Sequence, residues 1–313
     1  MKKISCHFLL ALVLMMTSAT GIQAEETLPA KLQQLTDDAY RYYSARETDK
    51  YFDAVNKVKD ATEFSEYQET YYRARSYEAI YMFEYVDRQK GVQLAHDIYH
   101  HAKHHNSNVG MYFATFSLGT IREQSGNMGL AEKSYLQALK LKEKYLPDES
   151  AAPCYLGLCE VALHRKDYEE VKEYARKALE EPKVIPMNQI TAWSYKCLAR
   201  YNQGDSLGFE EAYKERARLI AKHGGQGGLF GELINVYQAK NRKQWKLALQ
   251  RADKLIHMHN KCAQKASIYE HMGDWKQALY WQKRTRVVID SIQSSEARSQ
   301  MNEFDTELFD NLR

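Results

Sequence analysis

The stretch that decides the fold, residues 118–138, reads LGTIREQSGNMGLAEKSYLQA. Gly126-Asn127 supplies a tight turn in its middle, because both residues tolerate backbone conformations that other residues avoid. Gly119, before the turn, lets a neighbouring helix approach closely. Three residues after the turn share one face of a helix at steps of four and three: Ala131, Tyr135 and Ala138. The stretch therefore predicts two antiparallel helices joined by a tight turn.

The same spacing returns in three later segments. Gly119 stands twelve residues before Ala131, and the later pairs with this separation are Cys159 and Val171, Val236 and Ala248, and Ala266 and Ala278. Each pair encloses a turn sequence, such as Gly273-Asp274-Trp275 in the last one. Four hairpins with one internal spacing indicate stacked repeats, in which each unit buries its apolar face only against its neighbours.

Three further hairpins fit less closely. Their bounding residues are Cys197 and Ala212, Tyr42 and Ala54, and Ile80 and Val92. In the first of them, about three extra residues, 206–208, follow the turn at Gly204-Asp205. In the second, the turn is predicted at Asp49-Lys50-Tyr51. The positions predicted to pack between helices are Gly119, Ala131, Tyr135, Ala138, Cys159, Val171, Ala175, Ala178, Ala248, Ala252, Ala266 and Ala278.

The N-terminus has the order of a secretory signal peptide. Lys2-Lys3 is followed by an apolar run, 8–16, and by small residues that end at Ala24, just before Glu25. We expect residues 1–24 to be removed by cleavage between Ala24 and Glu25, and the mature chain to be periplasmic. A retained N-terminal anchor helix is the alternative. No later stretch is apolar enough to span a membrane.

Composition favours long helices and gives no electrostatic reason to expect nucleic acid as a partner. The chain has 23 tyrosines and only 5 prolines. Without Lys2 and Lys3, the 44 basic residues become 42 against 41 acidic ones, a formal charge of +1. The four cysteines of the expected mature chain are too few for a disulfide scaffold and are predicted to be buried small hydrophobic residues: Cys154, Cys159, Cys197 and Cys262.

The pattern of a small residue, eleven positions and an alanine, with glycine, aspartate and an aromatic residue before that alanine, resembles the tetratricopeptide repeat. This resemblance implies an all-α solenoid, a right-handed superhelix of antiparallel helix hairpins. We expect about seven hairpins in residues 25–286 and an extra C-terminal helix in residues 287–313. The spacing between successive hairpins, about 30 to 41 residues, departs from the regular period of about 34.

A narrower resemblance covers most of the mature chain. Tyr112-Phe113-Ala114-Thr115, the loop 145–149 and the segments 273–278 and 290–292 are similar to the periplasmic sensor regions of tetratricopeptide histidine kinases and regulators of Bacteroidetes. In that family the repeats precede a linker helix, a membrane span and a kinase or DNA-binding module. The resemblance implies that this chain is a sensory or scaffold region.

In tetratricopeptide proteins the first helix of each hairpin lines a concave groove. Carrying that register over implies a groove formed by Phe116, Thr120, Glu123, Leu156, Glu160, His164, Ser194, Leu198, Tyr201, Asn202, Leu233, Tyr237 and Lys240. Such an aromatic and polar surface suits an extended peptide or a partner helix. The alternative is that Tyr201 and Tyr237 only pack between repeats. The lysine and asparagine series with which some family members bind a terminal carboxylate is missing.

The segment 285–313 lacks the turn signals of another repeat. Two interpretations stay open for it. It caps the final hairpin, or it is a signalling linker that pairs with a second copy of the chain.

A histidine-rich helix supports an alternative function. His96, His100 and His104 recur at steps of four, so that their imidazoles lie one helical turn apart, a spacing at which they can share a metal ion. The alternative hypothesis is therefore a metal-binding or metal-sensing protein that uses residues 96–105. No acidic partner in an H-E-x-x-H pattern accompanies these histidines, and our first expectation is that the chain binds no metal and no cofactor.

No catalytic motif occurs in the sequence: G-x-S-x-G, a glycine-rich phosphate loop and H-E-x-x-H are all missing. We therefore expect a non-enzymatic protein that binds a protein or peptide in its concave groove, as a periplasmic scaffold or as the input part of a two-component signalling protein.

Overall fold

The structure, a computed structural model, describes residues 28–223 and 230–291. All regular elements in these two ranges are helical, and neither range contains a strand. The all-α fold class predicted from the sequence is confirmed. The predicted signal peptide with its cleavage site, and residues 292–313 of the predicted C-terminal helix, lie outside the described residues. None of the helices in the described ranges is both long and apolar enough to cross a bilayer.

The chain divides into two compact units, Met1–Ala61 and Thr62–Arg313. The first unit contains one hairpin, formed by α1 (Leu28–Ala45) and α2 (Thr48–Thr62). The rings of Tyr43 and Tyr51 meet edge to face across this hairpin, with 5.5 Å between their centroids.

The second unit contains six hairpins, each made of an odd-numbered helix and the next. Their helices are α3 (Gln68–Tyr81) with a π-helical continuation (Met82–Val86), α4 (Arg88–His104), α5 (Asn108–Gln124), α6 (Met128–Tyr145), α7 (Ala152–His164), α8 (Tyr168–Glu180), α9 (Pro186–Asn202), α10 (Ser206–His223), α11 (Gly231–Asn241), α12 (Trp245–Asp253), α13 (Met258–His271) and α14 (275–291). Helices contact mainly their neighbours along the chain, which is the organisation of a solenoid.

The first helices of successive hairpins also contact one another. α3 contacts α5, α5 contacts α7, and the contacts continue from α7 to α9, α11 and α13. These six helices form what we call the first-helix layer. The exposed side of this layer is the surface on which the groove was predicted.

All seven hairpins share one register. The fourth residue of the second helix is buried in each of them, and twelve residues before it stands a small or β-branched residue. The pairs are Ala39 and Tyr51, Ala79 and Gly91, Gly119 and Ala131, Cys159 and Val171, Cys197 and Phe209, Val236 and Ala248, and Ala266 and Ala278. The first four pairs begin at residues 39, 79, 119 and 159, a constant step of 40 residues.

Three of the hairpins therefore differ in register from the sequence prediction. The fifth has no extra residues, because Phe209 and not Ala212 takes the shared position and 206–208 form the first turn of α10. The first hairpin turns at Arg46-Glu47, three residues before the predicted turn, and the second is shifted by one residue. The sequence prediction placed an alanine or a valine at this buried position. The structure shows that tyrosine, glycine and phenylalanine are also buried there.

In six of the seven hairpins, one residue of the turn between the two helices has the left-handed backbone conformation. The residues with positive φ there are Arg46, Gly126, Lys166, Gly204, Lys243 and Gly273. The next amide donates to the carbonyl five residues back, as from Asn127 to Arg122 at 2.8 Å. In the second hairpin the residue at the corresponding turn position is Val86, and a β-branched residue avoids the left-handed region. There the π-helical segment makes the equivalent bond, from Asp87 to Met82 at 2.8 Å.

All twelve residues predicted to pack between helices are buried. Tyr135 on α6 lies against two first helices, because a Cβ added to Gly119 would stand 2.9 Å from its ring and one added to Gly157 would stand 2.2 Å from it. The four described cysteines are buried and unpaired. Helix α14 runs from 275 to 291 without a break, so the boundary predicted at residue 286 falls inside it.

Candidate functional site

The predicted groove residues lie on four helices of the first-helix layer. They are Phe116, Thr120 and Glu123 on α5, Glu160 and His164 on α7, Tyr201 and Asn202 on α9, and Tyr237 and Lys240 on α11. His164 and Asn202 are exposed, Phe116 and Tyr237 are buried, and the others are half-buried. Among them, Glu123 and Glu160 form an acidic cluster, and Tyr201, Tyr237 and Lys240 form a second cluster. Phe116 lies apart from both, in the lining of another cavity.

The acidic cluster contains Glu123 and Glu160 from neighbouring hairpins. The Tyr135 hydroxyl donates to the Glu123 carboxyl group at 2.6 Å, and the Tyr195 hydroxyl donates to Glu160 at 2.9 Å. Burial, with a smaller contribution from the negative charge of Glu160, raises the pKa of Glu123 to about 8. Burial also raises the pKa of Glu160. Glu123 is therefore mostly protonated at neutral pH.

The second cluster begins with two stacked tyrosines. The rings of Tyr201 and Tyr237 lie 3.9 Å apart and are parallel to within 3°. Tyr201 also meets Phe209 edge to face at 5.8 Å. The two tyrosines thus pack between neighbouring repeats, as the alternative interpretation of the sequence expected. One edge of the Tyr201 ring is nevertheless accessible, because Tyr201 also lines a cavity.

Lys240 lies beside this stack, with Nζ 5.5 Å from the Tyr201 centroid and 5.9 Å from the Tyr237 centroid. Its ammonium group donates to Gln264 Oε1 and to Ser267 Oγ, each at 3.0 Å. Burial lowers the pKa of Lys240 to about 8, and the negative charge of Glu270 opposes this effect only in part. In the described part of the chain Lys240 forms no ion pair.

A cavity of about 330 Å³, which we call the Lys240 cavity, adjoins this ammonium group. It is lined by Tyr201, Gly204, Ser206, Lys240, Asn241, Lys243, Trp245 and His271. The rings of Trp245 and His271 stack at 5.1 Å. His271 Nδ1 donates to the Ser267 carbonyl at 2.7 Å, which leaves Nε2 as its second polar atom. Two lysines and no acidic residue line the cavity.

A second cavity, which we call the Arg73 cavity, has the same volume of about 330 Å³. Its lining includes Arg73, Tyr77, Phe113, Phe116 and Glu149. Here the cation is neutralised, because Arg73 pairs with Glu149 at 2.8 Å and with Glu69. The Arg73 guanidinium also lies 5.5 Å from the centre of the Phe113 ring.

The two cavities lie at opposite ends of the first helices. Arg73 and Phe113 belong to the second turns of α3 and α5, while Tyr201, Lys240 and His271 belong to the last turns of α9, α11 and α13. The first-helix layer therefore presents one cavity near the starts of its earlier helices and one near the ends of its later helices.

The histidines of α4 do not converge. His96 is buried in the helical core, whereas His100 and His104 are exposed. His101 Nδ1 lies 3.1 Å from the Tyr72 hydroxyl, and the rings of His101 and His105 are 4.3 Å apart. No group of three or more histidine, cysteine, aspartate or glutamate side chains suited to a metal ion occurs in residues 28–223 and 230–291.

Several residues of the two clusters were missed from the sequence. Tyr195 is the donor to Glu160, and Trp245, Gln264 and His271 surround Lys240. Ser267 follows Ala266 as Tyr237 follows Val236, so that the shared register, extended by one hairpin, would have placed it on the same surface. His271 follows Ala266 by five residues, as His164 follows Cys159, so the same extension would have placed it there too. Tyr195, Trp245 and Gln264 lie outside the groove positions.

No protein-family model and no curated protein matches this chain.

Proposed function

We propose that the chain is a protein-interaction scaffold or sensory region that binds an extended peptide segment of a partner protein across the first-helix layer. We propose further that it is exported and works in the periplasm, as its N-terminal sequence and the family resemblance suggest. Coupling to a signalling module belongs to the same proposal and rests on that resemblance alone.

One observation carries the proposal: two cavities of about 330 Å³ open on the same layer of helices, and both are lined by aromatic rings beside charged groups. Aromatic side chains with a polar neighbour are typical anchoring positions of interfaces, because they offer a large contact area and fix the orientation of the partner. Two anchoring positions at opposite ends of the layer suit a partner that crosses several hairpins.

The hydrogen bonds of the acidic cluster also favour peptide binding on this layer, because its carboxyl groups already have partners within the protein. Glu123 accepts a hydrogen bond from Tyr135 on α6, and Glu160 accepts one from Tyr195 on α9. A bound peptide would therefore pay less to desolvate these two carboxyl groups than to desolvate unpaired carboxylates.

A selection from a displayed library of random twelve-residue peptides tests the proposal. The purified chain is the bait, and enriched peptides are measured by fluorescence polarisation. Removing an aromatic ring that lines one cavity, Tyr77→Ala or Trp245→Ala, is expected to weaken binding by about tenfold or more, the usual loss at an anchoring residue.

The matched control is Tyr145→Ala, because Tyr145 is an aromatic residue of similar exposure at the end of a second helix. We expect it to leave binding unchanged. Equal losses in all three variants, or a selection that enriches no peptide, would contradict the proposal. Unchanged circular dichroism spectra establish that each variant is folded.

A further inference from the structure

Lys240 is a cation of this layer that forms its hydrogen bonds without a carboxylate partner. Its two hydrogen-bond acceptors, Gln264 Oε1 and Ser267 Oγ, are both neutral. An ammonium group has three donors, so one donor remains for another acceptor. Removing a charge from water costs free energy that neutral acceptors offset only in part, which is why buried charges are usually paired.

The Arg73 cavity provides the internal comparison. Arg73 is held between the carboxylates of Glu69 and Glu149. Two carboxylates thus pair directly with Arg73, whereas no carboxylate lines the Lys240 cavity and the negative charge of Glu270 offsets the burial of Lys240 only in part. An anion that entered the Lys240 cavity would meet Lys240 and the exposed Lys243 without displacing any carboxylate.

We propose that the Lys240 cavity binds a carboxylate that is attached to an apolar or aromatic group, with Lys240 as its counter-ion. This inference deepens the proposed function, on which it rests, by naming the chemistry that a bound segment presents at this end of the layer. An acidic peptide side chain next to an apolar one, and a small free acid, both have this chemistry.

The other walls of the cavity account for the apolar part of the ligand. Trp245 and His271 form a stacked pair beside the cavity, and the edge of Tyr201 completes an aromatic wall. A carboxylate has two acceptor atoms, which match the free donor of Lys240 and one further donor from Lys243. A phosphate group has more acceptor atoms and is often bound by a bidentate arginine, which the lining lacks.

The first experiment measures the pKa of Lys240 in the full chain, by NMR of ¹³C-dimethylated lysines, with and without 3-phenylpropionate. A carboxylate beside the ammonium group is expected to raise this pKa by about 1 or more. Neutral 3-phenylpropionamide is expected to leave it unchanged. Lys196 is the matched control, because it is half-buried, lies over the Trp193 ring and is outside the cavity. An unchanged Lys240 pKa, or an equal change at Lys196, would overturn the site.

The second experiment separates the two sources of the carboxylate. Peptides enriched on the wild-type chain are compared with those enriched on Lys240→Met. Aspartate or glutamate beside an apolar residue is expected in the wild-type set, and replacing that acid by its amide should weaken binding by about tenfold. The Lys240→Met variant should lose this preference but still bind the amide peptide, whereas Lys196→Met should keep the preference.

Each outcome separates the two proposals. Peptides that bind wild type and Lys240→Met alike, with no acidic preference, would overturn the carboxylate site and leave the proposed function standing. A Lys240 response to 3-phenylpropionate without any enriched peptide would support a small free acid as ligand and count against peptide binding.

Discussion

Tyr201 and Tyr237, which belong to first helices of neighbouring hairpins, stack face to face at 3.9 Å with an angle of 3° between their planes. The stack joins two hairpins, and the Lys240 ammonium group lies at its edge. The same two rings therefore pack neighbouring hairpins together and form part of the candidate site.

This stack should be measurable as a coupling energy. We expect a double-mutant cycle of Tyr201→Leu and Tyr237→Leu to give about 0.5–1.5 kcal/mol in the free energy of unfolding, because the rings are in direct contact. Urea denaturation measures it. Tyr201→Leu combined with Tyr135→Leu, whose ring lies two hairpins away, should be additive. Additivity in both cycles would show that the stack contributes no coupling.

The close approach of Tyr135 to two glycines predicts a large cost for one added methyl group. Gly157→Ala places a Cβ 2.2 Å from the Tyr135 ring, so we expect a loss of about 1–3 kcal/mol in the free energy of unfolding. Gly129→Ala is the control, because its Cβ would meet no atom within 4 Å. That variant should be slightly stabilised, by about 0.5–1 kcal/mol, since alanine favours the helix. Equal effects in thermal melts would contradict the packing.

Glu123 predicts a fall in stability as pH rises. Its pKa is about 8 in the folded chain and about 4.5 in the unfolded chain, so the folded state binds more protons between these values. The contribution of Glu123 to the free energy of unfolding is therefore most favourable below a pH of about 4.5 and declines as the pH rises to about 8. Glu123→Gln should remove this decline and add at least about 1 kcal/mol at pH 8. Exposed Glu143→Gln is the control for denaturation curves across this range, and it should keep the decline.

Lys240 predicts the opposite slope at higher pH. Its pKa is about 8 in the folded chain against 10.5 for a free lysine, so the unfolded state binds more protons in this window. Stability should rise as pH increases from 8 to 10.5. Lys240→Met should remove this rise. The control substitution Lys243→Met, at an exposed position, should preserve it. Parallel curves for wild type and Lys240→Met would contradict the burial of this charge.

The left-handed turn residues predict a stabilising substitution. Lys243 has φ 56° at the place where three other hairpins have glycine. Lys243→Gly relieves the strain of a side chain in this region, and we expect a gain of up to about 1 kcal/mol in the free energy of unfolding. Lys246→Gly, inside the first turn of α12, should be destabilising by about 1 kcal/mol. A thermal melt that ranks the two variants in the reverse order would contradict the turn assignment.

The sequence was sufficient for the hairpins because each depends on local signals. The turn at Gly126-Asn127, the spacing from Gly119 to Ala131 and the stripe through Tyr135 all lie within 21 residues of one another. The predicted register was wrong where a tyrosine, a glycine or a phenylalanine occupies the shared position, as Phe209 does. Burial at that position depends on the neighbouring helices, which the local pattern does not describe.

The candidate site was less accessible to sequence reasoning. Tyr201, Tyr237 and Lys240 were placed on the correct layer, but their contacts depend on the relative rotation of neighbouring hairpins. The connection from Lys240 to Gln264 and Ser267 spans two hairpins, and it leaves the lysine with neutral partners. A pattern of residue types does not reveal which cation lacks an ion pair.

Hydrogen–deuterium exchange of the full chain, with and without a library-enriched peptide, tests the central claim most directly. Binding across the first-helix layer predicts slower exchange in the second turns of α3 and α5 and in the last turns of α9, α11 and α13, where the two cavities open. The second helices α6, α8 and α10 should exchange as in the free chain. Protection confined to those second helices would contradict the claim that the first-helix layer binds the partner.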